Sequence, residues 1–82
     1  MELKDTVILM TSPDYRDRFR AEYLQLTIRM EKLQQMLQRL AAKKLDFEPA
    51  CPPEMLYGQL RAMMNYQQYL VLRAREEGIK LE

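Results

Sequence analysis

The sequence contains no histidine, and Cys51 is its single cysteine. Without histidine, zinc sites of the usual ligand types and histidine-based catalytic triads are excluded. Because histidine is also the side chain that enzymes most often use to move protons, we expect a protein that is not an enzyme. One cysteine cannot form a disulfide within the chain, which favours a reducing, cytoplasmic environment.

Glycine is almost as scarce, with Gly58 and Gly78 as the two examples. The chain therefore lacks the glycine-rich patterns that hold phosphates in nucleotide-binding loops. No acidic loop resembles an EF-hand, although a magnesium or calcium site made from carboxylates alone stays open. We expect neither a metal nor a resident cofactor.

Long hydrophobic runs are also missing. The longest stretch of aliphatic side chains and methionine, Val7 to Met10, is far too short to cross a bilayer. Glu2 and Asp5 stand where a signal peptide would carry basic residues, so we expect no signal peptide. The 13 Lys and Arg residues nearly balance the 12 Asp and Glu residues, giving a net charge of +1. Such a balance provides no general field for nucleic acid or an anionic membrane, and we expect neither partner.

The clearest positive signal is a heptad-like repeat of apolar residues. Ser12, Pro13 and Asp14 form a helix-start signal, with a serine N-cap and proline at the first helical position. From Pro13 the helical pattern continues to about Lys44, roughly 32 residues or about 48 Å at 1.5 Å per residue. Its apolar seam alternates spacings of four and three, which is typical of helices that pack knobs-into-holes. The seam consists of Phe19, Tyr23, Leu26, Met30, Leu33, Leu37 and Leu40.

A second helix with the same repeat follows a proline-rich connection. Residues 45–52 form the connection, because each residue before Pro49 or Pro52 is pushed out of the helical region. The second helix is predicted over about residues 53–77, with Gly78 as the expected stop. Its seam consists of Leu56, Leu60, Met63, Gln67, Leu70 and Ala74. The two seams match in length and phase, which predicts an all-α fold with one domain, residues 1–82, built as an antiparallel helical hairpin.

A short N-terminal segment precedes this hairpin. Leu3, Val7 and Met10 have helical spacing, so we favour a helical turn over residues 2–10. A short strand over residues 7–9 is the alternative, because Val7, Ile8 and Leu9 favour extended structure.

The chain has more apolar surface than two helices can bury, because each helix carries a second strip away from its seam. The strips are Ala21, Leu24 and Ile28 on the first helix, and Tyr57, Met64 and Val71 on the second. Burial of one such side chain is worth about 1.5–3 kcal/mol. We therefore expect neighbouring copies to cover these strips in a homo-oligomeric helical bundle. The alternative is that the N-terminal segment folds back over one strip.

Arginine, tyrosine and amide side chains run beside the two seams at helical spacing. Guanidinium groups bind phosphates in a bidentate way, aromatic rings stack on bases, and Gln or Glu can read a base edge. This combination predicts a pocket for an anion or a nucleotide. The candidate ligand-binding residues are Arg18, Glu22, Tyr23, Gln25, Arg29, Tyr66, Gln67, Tyr69 and Arg73. The alternative is a solvated flank, with Arg18 and Glu22 as an ordinary ion pair and the tyrosines as packing residues.

Three runs of sequence carry a resemblance to a known family: YRDRFRAEYLQLTIRMEKL from Tyr15, DFEPACP from Asp46 and RAREEGI from Arg73. In these runs the chain resembles a family of small helical-hairpin proteins of tailed phages and prophages. That family is similar in plan to the phage sponges that inhibit the CBASS and Thoeris immune systems. The resemblance implies a small oligomeric protein, in the cytoplasm of the host cell, that holds a nucleotide second messenger between protomers without cleaving it.

Two functions are therefore expected from the sequence. The first is sequestration of a cyclic dinucleotide or an ADP-ribose derivative at oligomer interfaces, as an inhibitor of bacterial immune signalling. The second is a small helical adaptor that binds a host or phage protein through its exposed apolar helix faces.

Overall fold

The computed structural model describes residues 1–81, which form three helices and no strand. A 3-10 turn, Leu3–Thr6, leads directly into helix α1, Val7–Met10. Helix α2, Tyr15–Ala41, and helix α3, Pro53–Glu77, follow and pack against each other. Tyr15 at the start of α2 contacts Glu77 at the end of α3, so the two long helices run antiparallel. The predicted all-α class is confirmed.

The core lies along the predicted seams, towards the end of the hairpin at which α2 begins and α3 ends. Its fully enclosed cluster consists of Phe19, Leu26, Leu70, Ala74 and Ile79. Four partly buried side chains pack against this cluster: Tyr23, Met30, Met63 and Leu81. Residues at seven-residue spacing return to the same face of a helix after two turns, which explains why Phe19 and Leu26 are buried together.

Helix α2 starts two residues later than the Ser12–Pro13 signal predicts. Asp14 is the N-cap, and its Oδ1 accepts a hydrogen bond of 2.9 Å from the backbone N–H of Arg16. Ser12 instead stabilises the turn before the helix: its Oγ accepts from the N–H of Asp14 and donates to the carboxylate of Asp17. A carboxylate satisfies the unpaired N–H groups at a helix start as well as a serine does, and the hydroxyl of Ser12 is engaged in the turn before the helix.

Both long helices end near a residue in the left-handed backbone conformation. At the end of α2, Lys43 takes the left-handed conformation with φ 57°, and the N–H of Lys44 donates to the carbonyl of Arg39 over 2.8 Å. The left-handed residue ends the helix, so α2 stops at Ala41 and does not reach Lys44 as predicted. The residue in this position is usually a glycine, and here it is a lysine. At the end of α3 the left-handed residue is Gly78, the predicted stop, with φ 68°.

The N-terminal segment packs against α2 and covers one of the two surplus apolar strips. Ala21 and Ile28 of α2 are 1% and 5% exposed, and Thr6 of the N-terminal segment is fully buried. An ion pair of 3.3 Å between Glu2 and Lys32 adds to this contact. The α2 strip is therefore covered within one chain, as the alternative interpretation of the sequence has it. The α3 strip stays open to solvent.

Two further observations concern the surface. Cys51, in the connection between α2 and α3, is exposed and free. Among residues 1–81, no helix combines the length and the apolar character that a membrane span requires.

The buried position of Leu70 leads to a prediction about stability. Leu70 is 0% exposed, so Leu70→Ala leaves a cavity in the core and should lower the free energy of unfolding by about 2–5 kcal/mol. The matched control is Met55→Ala on the same helix, where the methionine is 63% exposed and the change should stay within about 0.5 kcal/mol. Urea denaturation followed by circular dichroism measures both variants. Equal midpoints for the two would contradict the described core.

Candidate ligand-binding groove

A polar groove runs along one flank of the hairpin, beside the α2–α3 seam. It has a volume of about 170 Å³, and its lining residues come from both long helices. They are Glu22, Gln25, Leu26, Arg29 and Tyr66. The four α2 residues follow the spacing i, i+3, i+4 and i+7, which places them on one face of the helix. Four of the nine residues predicted from the sequence therefore meet in this groove.

Gln25 forms the edge of the groove towards the N-terminal segment. Its Nε2 donates a hydrogen bond of 2.9 Å to Oγ1 of Thr6 and contacts Sδ of Met10 at 3.2 Å. Thr6 Oγ1 in turn donates to the carbonyl of Leu3 over 2.7 Å. The amide of Gln25 is thus held in one orientation by the buried Thr6 and by Met10, and a ligand in the groove would meet a fixed side chain.

Arg29 and Glu22 carry the charges of the groove. Arg29 is exposed and Glu22 is partly buried, and neither side chain forms a hydrogen bond or an ion pair with any residue of 1–81. They are seven residues apart, about 10.5 Å along the helix axis, which explains why they do not pair with each other. A free guanidinium binds phosphate or carboxylate, and a free carboxylate accepts hydrogen bonds from hydroxyl or amino groups.

Tyr66 supplies the aromatic wall of the groove from α3. It is 44% exposed, so one part of the ring packs against the protein and another part faces the groove. An exposed aromatic face next to a guanidinium group is a surface on which a planar base can stack.

The other five predicted residues have different surroundings. Arg18 donates from Nη1 to the carbonyl of Ser12 over 2.8 Å and so fastens the turn before α2. Tyr23 packs against the core cluster. Gln67 donates from Nε2 to Oγ1 of Thr27 over 2.9 Å, which ties α3 to α2 away from Arg29. Tyr69 is 61% exposed and does not line the groove.

Arg73, the fifth of these residues, is engaged with its neighbours at the end of the hairpin. Its Nη2 donates to the hydroxyl of Tyr15 over 2.9 Å, its Nε lies 3.4 Å from Oε2 of Glu77, and its guanidinium stacks 4.9 Å from the ring centre of Phe19. Loss of hydration alone would lower the pKa of Arg73, but Tyr15 and Glu77 outweigh it and raise the pKa above its usual range. Arg73 therefore joins the two helix ends, and it is less open to a ligand than Arg29.

Three neighbours of this groove, Leu26, Thr6 and Met10, were not predicted from the sequence. Leu26 belongs to the apolar seam, and the other two lie in the N-terminal segment. One feature of the sequence indicated that Thr6 and Met10 could lie near α2: Ala21 and Ile28 form a small apolar strip that a short amphipathic segment can cover. Among the described residues, no group of three or more Asp, Glu or Cys side chains could hold a metal ion.

The fold and the groove define a small all-helical hairpin protein with a polar groove on one flank. Within that class the chain belongs to the Sequestin family, whose model matches residues 13–76. The match covers α2, the connection and nearly all of α3, and it contains all nine candidate residues. The name of the family indicates sequestration, which is a binding role and not a catalytic one. No curated protein and no solved structure shows significant similarity to this chain.

The fixing of Gln25 by the N-terminal segment leads to a second prediction. Thr6→Val removes the buried hydroxyl that Gln25 contacts and should lower the free energy of unfolding by about 1–3 kcal/mol, because the amide N–H loses a partner. The matched control is Thr11→Val, whose exposed hydroxyl bonds only backbone carbonyls of its own turn. The control should differ from the parent by no more than about 0.5 kcal/mol. Urea denaturation measures the free energy of unfolding of both variants. Denaturation curves that coincide for the two would argue against the Thr6–Gln25 contact.

Proposed function

We propose that this protein binds and sequesters a nucleotide second messenger, without cleaving it, as a phage-encoded inhibitor of bacterial immune signalling. The ligand is a cyclic dinucleotide or an ADP-ribose derivative. The observation that carries the proposal is the groove in which the unpaired Arg29 lies on the same side of the hairpin as Tyr66 and Glu22. Membership of the Sequestin family and the resemblance to phage sponges support the same function.

The chemistry of the groove favours a nucleotide over a simple anion. Inorganic phosphate would use Arg29 alone and would leave Tyr66 and Glu22 without a partner. A nucleotide carries phosphate for Arg29, a planar base for Tyr66, and hydroxyl or amino groups that donate to Glu22. Arg29 and Glu22 are separated by about 10.5 Å of helical rise, so a ligand that meets both charged groups lies along about two turns of α2.

Homo-oligomerisation is part of this proposal. The groove is open on its outer side, so one copy contacts only one side of a bound nucleotide. A second copy can enclose the other side, which places the ligand between protomers. Each copy then supplies one groove, and the ligand site is complete only when two copies associate.

Binding is tested by thermal shift and calorimetry with a panel of cyclic dinucleotides and ADP-ribose derivatives. A ligand at 100 times its dissociation constant stabilises the folded state by about 2.7 kcal/mol. In a domain of this size each kcal/mol raises the melting temperature by about 4–8 °C, so a shift of roughly 10–20 °C is expected. The ligand recovered after denaturation should be chemically intact. Absence of a shift with every nucleotide would overturn the proposal.

The groove itself is tested with variants. Arg29→Ala should weaken binding at least about tenfold, because it removes a charge-assisted hydrogen bond worth about 1.5–3 kcal/mol, and Tyr66→Ala should also weaken it. Arg39→Ala is the matched control, since Arg39 is an exposed arginine of α2 outside the groove. If Arg29→Ala and Arg39→Ala bind a nucleotide equally well, the ligand binds elsewhere on the protein.

A further inference from the structure

The flank of α3 opposite the groove carries a continuous row of exposed side chains that the groove does not use. The row, called the α3 ridge here, consists of Glu54, Tyr57, Arg61, Met64, Gln68, Val71 and Arg75. Its spacing alternates three and four residues over six steps, the same repeat that forms the seam inside the hairpin. All seven residues are exposed, and none of their side chains forms an ion pair with another residue of 1–81.

The ridge lies on a different side of α3 from the groove. Met64 and Tyr66 are two residues apart, which turns their side chains by about 200° around the helix axis. Met64 accordingly lines a surface depression with Arg61, Asn65 and Gln68, while Tyr66 lines the groove with α2 residues. A partner on the ridge therefore leaves the groove accessible.

The charges of the ridge are arranged for pairing with an identical ridge in the opposite direction. Glu54, the one acid of the ridge, stands at one end and Arg75 stands at the other, with the apolar Tyr57, Met64 and Val71 between them. A second base, Arg61, also lies between the ends, and in the antiparallel pair it faces the neutral Gln68 of the other copy. In an antiparallel pair with the two-fold axis near Met64, Glu54 of each copy comes within a helical turn of Arg75 of the other. A parallel pair would instead bring like charges together at both ends, which is unfavourable.

We propose that two copies of this protein associate through their α3 ridges, antiparallel and with the two-fold axis near Met64. Methionine, tyrosine and valine supply the apolar centre, and the two Glu54–Arg75 pairs fix the direction and the register. The interface is isologous, because the same seven residues serve on both sides. This inference does not rest on the proposed ligand, since the pair forms without one.

The mass of the ligand-free protein in solution tests the proposal. Sedimentation velocity over a dilution series should give twice the chain mass of 9.9 kDa at high concentration. Met64→Lys places two cations close to the axis and should give a monomer. Met55→Lys is the matched control, because Met55 is 63% exposed on the same helix but lies off the ridge, and it should pair like the parent. A parent that stays monomeric throughout, or one whose pairing survives Met64→Lys, overturns the proposal.

Charge reversal tests the direction of pairing. Glu54→Arg alone places two arginines opposite each other at each end of the pair, and Arg75→Glu alone places two acids opposite each other at each end. Each single variant should therefore raise the dissociation constant about fivefold. The double variant, Glu54→Arg with Arg75→Glu, restores opposite charges and should pair nearly as well as the parent. Circular dichroism confirms that each variant remains helical. Failure of the double variant to recover pairing would rule out the antiparallel register and leave the nucleotide proposal to its own test.

Discussion

Burial of the seam between α2 and α3 fixes the rotation of both helices, and the position of every surface side chain follows from it. Leu70 is completely enclosed and lies in one cluster with Phe19 and Leu26 of α2. Leu26 also forms the floor of the groove, next to Gln25 in sequence and three residues before Arg29. Neighbouring helical residues differ by about 100°, so once Leu26 faces the core, Gln25 and Arg29 must lie on one flank. The polar groove is thus a consequence of core packing.

The sequence predicts the hairpin well because the controlling quantity is periodic. Apolar spacing sets which face of a helix is buried, and Gly78 marks a stop through the conformation that glycine allows. The end of α2 at Ala41 was missed, since the left-handed residue that follows it, Lys43, is not a glycine and has no local signature. The start of α2 was placed too early because Ser12 and Asp14 both carry capping side chains, and only three-dimensional contacts decide between them.

The composition of the groove was harder to predict than the fold. Spacing along α2 places Glu22, Gln25 and Arg29 on one flank, and they line one groove in the structure, but spacing does not reveal which side chains are already bonded elsewhere. Arg73 and Gln67 have the right chemistry, yet their hydrogen bonds to Tyr15 and Thr27 are contacts between helices. Whether Gln67 faces the groove or the opposite flank depends on a few tens of degrees of rotation, which a heptad pattern does not specify. The covering of Ala21 and Ile28 by the N-terminal segment likewise depends on a tertiary contact.

Sequestration also sets an energetic requirement that one groove does not meet alone. A nanomolar dissociation constant corresponds to about 12 kcal/mol of binding free energy. One charge-assisted hydrogen bond from Arg29 contributes about 1.5–3 kcal/mol, and stacking on Tyr66 contributes about 1–3 kcal/mol. Loss of translational and rotational freedom opposes these gains by at least about 4 kcal/mol. A single copy would therefore bind a nucleotide weakly. A second groove that encloses the exposed side of the ligand adds a second guanidinium and a second ring while the loss of ligand freedom is counted only once. The pairing proposed for the α3 ridge uses another side of α3 and would not obstruct this closure, so the proposed assembly and the proposed ligand capture would use separate surfaces.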